Sequence, residues 1–347
     1  MSLMWDPNRG HLVMLVPFND LPFGSAWLPQ NQDPTVVPKY DGTTTLPADM
    51  YRPYLGMLGP TTSNISNQGY ITTFGGSANY NALQLGVTRR AARGLQAGAQ
   101  YSWAKALGTA SGTSGGNVGV SPIQIRKANY GPLTFDRTQS LSFNYIYDIP
   151  SVARKAGFLD NVPGRLLVNG WQFSGLTSVS SGPPVTVGYS VTGVSPALLN
   201  REITGSEDVA PRVVLTCNPN GSGAGSLYNF VNVSCFAPAA KGSVGIDSGN
   251  NRIRGPGLNQ WDMSLFKKVS LGKEQSRYVQ LRLEAFNAVN HPEWSTFNST
   301  IQFNAAGKPV NLPAALGGTG GRFGFGALNS VRLNSQRILQ IAAKLYF

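Results

Sequence analysis

Residues 79–103 read NYNALQLGVTRRAARGLQAGAQYSW, and the spacing of their apolar side chains decides the fold. Leu83, Leu85 and Val87 fall on one side of an extended chain, with Gln84, Gly86, Thr88 and Arg90 on the other. After a break at Ala92-Arg93-Gly94 the alternation resumes, with Leu95, Ala97, Ala99, Tyr101 and Trp103 against Gln96, Gly98, Gln100 and Ser102. A period of two marks a two-faced β-strand, and the glycine-bearing break marks a turn. A soluble sandwich hairpin shows the same alternation, so recurrence has to carry the argument.

The pattern does recur. Residues 139–149 set Leu141, Phe143, Tyr145, Tyr147 and Ile149 against Ser142, Asn144 and Asp148, with Ile146 breaking the polar set. Residues 260–269 set Trp261, Met263, Leu265 and Val269 against Gln260, Asp262, Ser264 and Lys268. Residues 277–286 oppose Val279, Leu281, Leu283 and Ala285 to Gln280, Arg282 and Glu284, and the chain ends on Leu339, Ile341, Ala343, Leu345 and Phe347 against Gln340, Lys344 and Tyr346. A strand blurred by Gly175 and Leu176 is expected over 166–181, and a weaker one over 67–74. Soluble strands stop at about 5–6 residues, whereas oblique membrane-crossing strands need about 9–11. Gln84, Arg90, Gln100, Gln280, Arg282, Glu284 and Lys344 are candidates to face a wet lumen, with the apolar face turned to lipid.

Links alternate in length. Those at 92–94 and 270–276 are short and that at 150–165 is moderate, while 108–135, 182–259 and 290–335 are long and rich in Gly, Ser, Asn and Pro. Outer-membrane barrels have short periplasmic turns and long extracellular loops. The expected fold is therefore all-β: an antiparallel transmembrane β-barrel segment of about eight strands of a larger barrel, with long extracellular loops. Residues 1–66 form an N-terminal loop and strand region, and 67–347 the barrel strands.

Composition agrees. The chain has 41 glycines and only 13% charged residues, against about 25% in soluble domains. No run reaches the ~18 apolar residues of a membrane helix, so any crossing must use strands. The net charge of +12 comes from scattered Lys and Arg without a nucleic-acid-binding motif, so no nucleic acid partner is expected. The start, Met1-Ser2-Leu3-Met4-Trp5-Asp6, lacks the features of an export signal, and the chain reads as a fragment.

Tyr80, Tyr101, Trp103, Tyr145, Tyr147, Trp171 and Trp261 gather towards strand ends as candidates for an aromatic girdle; aromatics also favour strands in general. Cys217 and Cys235 read better as an oxidised loop staple than as two free thiols, and with His11 and His291 far away no metal site or cofactor is expected. Gly112-Thr113-Ser114-Gly115-Gly116 matches a hydrolase elbow in letters only, because it lies in a Gly/Ser-rich loop and His291 is the only downstream histidine. His291 reads instead as a turn before Pro292, where the ladder ends. Asp136-Arg137 reads as a lumen ion pair or as a solvated strand end. No enzyme activity is expected.

An ordered series of motifs carries a resemblance: Asn79-Tyr80-Asn81-Ala82-Leu83-Gln84, Tyr101-Ser102-Trp103-Ala104-Lys105, Phe135-Asp136-Arg137, Gly170-Trp171-Gln172-Phe173-Ser174-Gly175, Ser181-Gly182-Pro183-Pro184, Arg254-Gly255-Pro256-Gly257, Glu284-Ala285-Phe286-Asn287 and Arg337-Ile338-Leu339-Gln340. From about residue 50 onward the chain resembles the barrel of Oar-like TonB-dependent receptors, numerous in Acidobacteria. The resemblance implies a parent receptor with an export signal, a plug and uptake driven through TonB, which would be reached only through the missing N-terminal part. It also implies that the terminal run Leu339, Ile341, Leu345, Tyr346 and Phe347 is a signal for the barrel-assembly machinery, and that outer-membrane lipid and lipopolysaccharide surround the wall. Three function classes fit: a transport barrel, an adhesin or surface-structure barrel, and a soluble secreted carbohydrate-binding β-protein. A plug upstream separates the first two, and folding without detergent marks the third.

Overall fold

A computed structural model describes residues 5–6, 11–28, 52–54, 69–92, 94–109, 125–151, 157, 161–221, 225–271 and 277–347. Strands β1 (His11–Pro17) and β2 (Tyr70–Gly76) pair near the N-terminus. Seven long strands then make the wall: β3 (Ala78–Ala92), β4 (Leu95–Gly108), β5 (Gln139–Asp148), β6 (Trp171–Ser180), β8 (Leu258–Ser270), β9 (Tyr278–Phe286) and β13 (Ile338–Tyr346). Between them lie the short strands β7 (Gly188–Val191), β10 (Trp294–Phe297), β11 (Thr300–Phe303) and β12 (Leu328–Val331). Helices α1 (Ile125–Asn129), α2 (Val162–Val168) and α3 (Pro196–Thr204) are short.

The wall is an antiparallel meander in which sequence neighbours are sheet neighbours. Its register keeps two faces apart with the same parity on all seven strands. One row runs Leu95, Tyr147, Phe173, Leu265, Leu283, Ile341. A row on the other face runs Gly86, Gln100, Ser142, Ser178, Gln260. Large side chains stand open on the apolar face: Leu85 is 53%, Leu283 45% and Ile341 83% accessible. Greasy side chains left open along long strands are the reverse of a water-soluble sheet, and they suit a wall whose outer face meets lipid. Because neighbours are antiparallel, β3 and β13 run in the same direction, and among the described residues their outer edges have no strand partner.

Three sequence expectations need correction. The strand over 67–74 exists as β2, but it pairs with β1 off the wall; the wall sheet's eighth member is only Gly131–Pro132, beside β4. The strand over 166–181 begins at Trp171, because Asn161 caps α2 by accepting from the Gly164 amide and Pro163 sits in its first turn. The long links 182–259 and 290–335 are not free loops. They fold together into a cap with its own core, including Val187, Val231, Ile253, Ile301, Phe303 and Phe325, each at most 3% exposed. Inside it β7 runs parallel to β11, and β10 pairs with β12. The turn at 92–94 holds Gly94 at a φ of 80°, where the Asp148 carbonyl would meet any side chain. Most of residues 1–66, Arg93 and much of 270–276 lie outside the described residues.

Candidate functional site

The first candidate surface is the polar face of the wall. Register places Gln84, Gln100, Gln280, Arg282, Glu284 and Lys344 on it. Gln280 stands between Lys268 and Lys344, and its Oε1 accepts from Arg282 Nε and Nη2 at 3.0 and 2.9 Å. Glu284 is flanked by Ser264 and Gln340. Asp262 accepts from the Asn287 amide, and Asp148 from Gln172 at 2.7 Å. The face thus offers charges of both signs, several of them held by neighbouring amides, a surface for water and polar solutes. Arg90 does not join these rows, because it falls in the register shift between Arg89 and Ala92 at the turn.

Tyr101, Trp103, Tyr145, Tyr147, Trp171 and Trp261 share the apolar face. Tyr80 does not: opposite Ala106, it has the parity of Gln84 and so lies on the polar side. Alternation puts a girdle residue an odd number of positions from Gln84, and Tyr80 is an even number away.

The second candidate surface is the cap, held on the wall by a buried ion pair. Asp136, 1% exposed, precedes β5 and accepts from the Ala106 amide of β4. Its other oxygen binds Arg254 of the cap, which also donates to the carbonyls of Asp136 and Gly182. Neither sequence reading of Asp136-Arg137 holds: the partner is 118 residues away, and Arg137 turns to the carbonyls of Thr134 and Asp136. Gly182 must lack a side chain, since a Cβ there would lie 1.8 Å from the Gly255 carbonyl oxygen. Asn251 and Asn250 donate to Pro132 and Asn129 carbonyls, and Arg212 to Ala128. Two of the long links, 108–135 and 182–259, are thereby laced together.

A second buried pair fastens the N-terminal segment. Arg52 Nη1 meets Asp208 Oδ2 at 2.6 Å, with both side chains almost fully buried. Gly24 and Ala26 donate to the carbonyls of Thr204 and Gly205, and the Leu21 amide to Asp208. Asp20 is buried there, and neither of its carboxyl oxygens has a hydrogen-bond partner among the described residues. Burial foremost, then the Asp208 charge, push its pKa up to about 7, and Arg52 only partly opposes this. The raised value means that the docked state prefers the protonated acid. Its contribution is fully present below the ordinary carboxyl range and is lost as pH rises through about 7. Hydrogen exchange at the Gly24 and Ala26 amides, corrected for intrinsic pH dependence, should therefore be faster at pH 8 than at pH 5.5. Asp20→Asn should erase that difference; a difference that persists in the variant rules out Asp20 as its source.

Cys217 and Cys235 are bonded, with Cα atoms 4.9 Å apart, and Cys235 is fully buried in the cap core. Denatured exported protein should take up no thiol label without reductant and two labels with it. Two labels without reductant would show that the staple does not form. His291 Nδ1 lies 3.2 Å from Glu293 Oε1, and its amide donates to Asn287 at the end of β9. It thus sits in the turn beyond β9, as Pro292 suggested, while Ser114 lies outside the described residues. Among the described residues no three His, Cys, Asp or Glu side chains converge as a metal cluster.

Sequence reasoning missed the cap core, Arg254, and the Arg52–Asp208 pair with Asp20. A signal for the core was present: Phe297, Ile301, Phe303 and Phe325 are too apolar for solvated loop. Nothing local marked the ion pairs, whose partners are 118 and 156 residues apart. No curated protein and no solved structure matches the chain. A family model described as an outer membrane beta barrel domain matches residues 10–340. That span takes in six of the wall strands, the first residues of β13 and the cap, and the chain belongs to this outer-membrane β-barrel family and resides in the outer membrane.

Proposed function

We propose that this outer-membrane barrel chain is the C-terminal wall of an Oar-like TonB-dependent receptor. The parent takes up a solute across the outer membrane, and this chain does no catalysis. The observation that carries the reading is the shared direction of β3 and β13. Pairing them directly would be parallel, whereas such barrels are antiparallel and even-stranded. Open edges in lipid cost several kcal/mol per unsatisfied backbone group. An odd number of further strands therefore stands between the two edges, beginning and ending opposite in direction to β3. A second copy in the same membrane orientation offers only the same two edges and cannot close the wall. Plugged outer-membrane transporters have about 22 strands; seven from 22 leaves about fifteen, an odd number. The motif series from Asn79 to Gln340 supports the same family.

In this reading TonB acts only through the N-terminal part, with the plug. The barrel-assembly machinery reads the last strand, whose Phe347 is 96% exposed beyond the final pairing at Tyr346, and lipid and lipopolysaccharide contact the apolar face. A photo-crosslinker at Val87 on β3 or Ile341 on β13 tests it. Each should join barrel strands of a polypeptide that carries a plug and a TonB-contacting segment. A direct link between positions 87 and 341, or capture of a barrel without a plug, rejects it; the latter favours the adhesin class.

A further inference from the structure

Helix α2 sits in the link between β5 and β6, on the side of the wall that carries the short turns and the C-terminus. Its fastening is unusual. Lys267 has the parity of Trp261, Met263 and Leu265 and so belongs to the lipid-facing surface, where a bare ammonium is costly. It is only 6% exposed, because α2 covers it. Its Nζ donates to the carbonyls of Leu167, at 3.1 Å, and Asn169, and it lies 4.8 Å from the centre of the Trp171 ring. Trp171 Nε1 also donates to the Leu167 carbonyl, at 2.8 Å. Both anchors reach α2 from the apolar face, so the helix lies against the outside of the wall and not beneath its lumen.

At about 100° per residue, Val162, Pro163, Leu166 and Leu167 share one arc of α2, and Gly164 and Val168 share another. Gly164 is buried and Val168 half-buried, while Val162 is 72%, Leu166 48% and Leu167 70% exposed. Water would not favour this arrangement. The adjoining apolar surface of the wall already faces hydrocarbon, so a second greasy arc continuous with it needs the same solvent.

We propose that α2 is an interfacial anchor, lying in the periplasmic phospholipid leaflet with Val162, Leu166 and Leu167 among the acyl chains. Its lower-rim position fixes the occupant as phospholipid, not the lipopolysaccharide of the opposite leaflet. The Lys267 ammonium is the clasp, satisfied by the helix's last carbonyls and the Trp171 face, so the lipid surface carries no open charge there.

Spin labels test this on the full chain, extracted with its native lipid and its barrel partner in copolymer nanodiscs. Because Cys217 and Cys235 are bonded, labels attach only to cysteines introduced at Leu166, Leu167 or, as a mid-strand control, Leu281. Labels at Leu166 and Leu167 should relax faster with oxygen than with a water-soluble nickel chelate, and should read shallower than Leu281. Nickel access at both helix positions beside an oxygen-accessible Leu281 overturns the anchor and leaves the barrel standing. Shielding of both from either reagent means that protein covers α2, and also overturns it. Loss of oxygen access at Leu281 as well would overturn the membrane-facing wall itself.

Discussion

Leu283→Arg should leave little heat-modifiable, membrane-inserted barrel. Leu283 is central in β9, between Leu265 and Ile341, and nearly half exposed on the apolar face. A cation at that depth costs roughly 2–4 kcal/mol. The matched control is Ser264→Arg, one step away on β8 with opposite parity. Its new side chain would face Glu284, so insertion should be nearly unchanged. Gln280 would be a poor control, because Lys268, Lys344 and Arg282 already crowd it with positive charge. The comparison is read as the ratio of heat-modifiable to unfolded bands in isolated outer membranes. Equal ratios for the two variants would mean that the faces are not in different solvents.

Asp136→Ala should loosen the cap and leave the wall inserted. The Asp136 side chain is fully buried, and its loss strands the Arg254 guanidinium and the Ala106 amide together. Breaking a buried pair from one side costs about 3–5 kcal/mol. Arg254→Ala should cost at least as much, since it leaves the Asp136 carboxylate, whose side chain is fully buried, without its cation. Protease added to intact cells should cut the cap of the Asp136 variant much faster than wild type, with heat-modifiability retained. Unchanged protection would remove this pair from the cap's fastening.

What was legible in the sequence was whatever repeats every two residues. Six of the seven wall strands follow from alternation alone, and their face assignments survive the register except at Tyr80 and Arg90, where counting back from Gln84 or forward into the turn bulge would have warned. The start of β6 was misplaced because Arg165-Leu166-Leu167-Val168 is apolar enough to pass for strand, although the Asn161 cap and Pro163 were signals for a helix. The cap was illegible for a different reason. Its strands have four residues or fewer, too few to show a period, and the pairing of β7 with β11 joins segments some hundred residues apart. Composition called those segments loops, and only their phenylalanines objected.

The shared interior of the cap has a consequence for anyone who trades pieces between relatives. Phe303 and Phe325 come from the link after β9, while Val187, Val231 and Ile253 come from the link after β6. Grafting one of these segments alone from a homologue would set foreign side chains against an unaltered half. A chimaera should keep its shape only when both are exchanged as a set, and natural recombination that splits them should be selected against. Variation on the outward-facing skin carries no such tie, so that is where changes could accumulate one residue at a time.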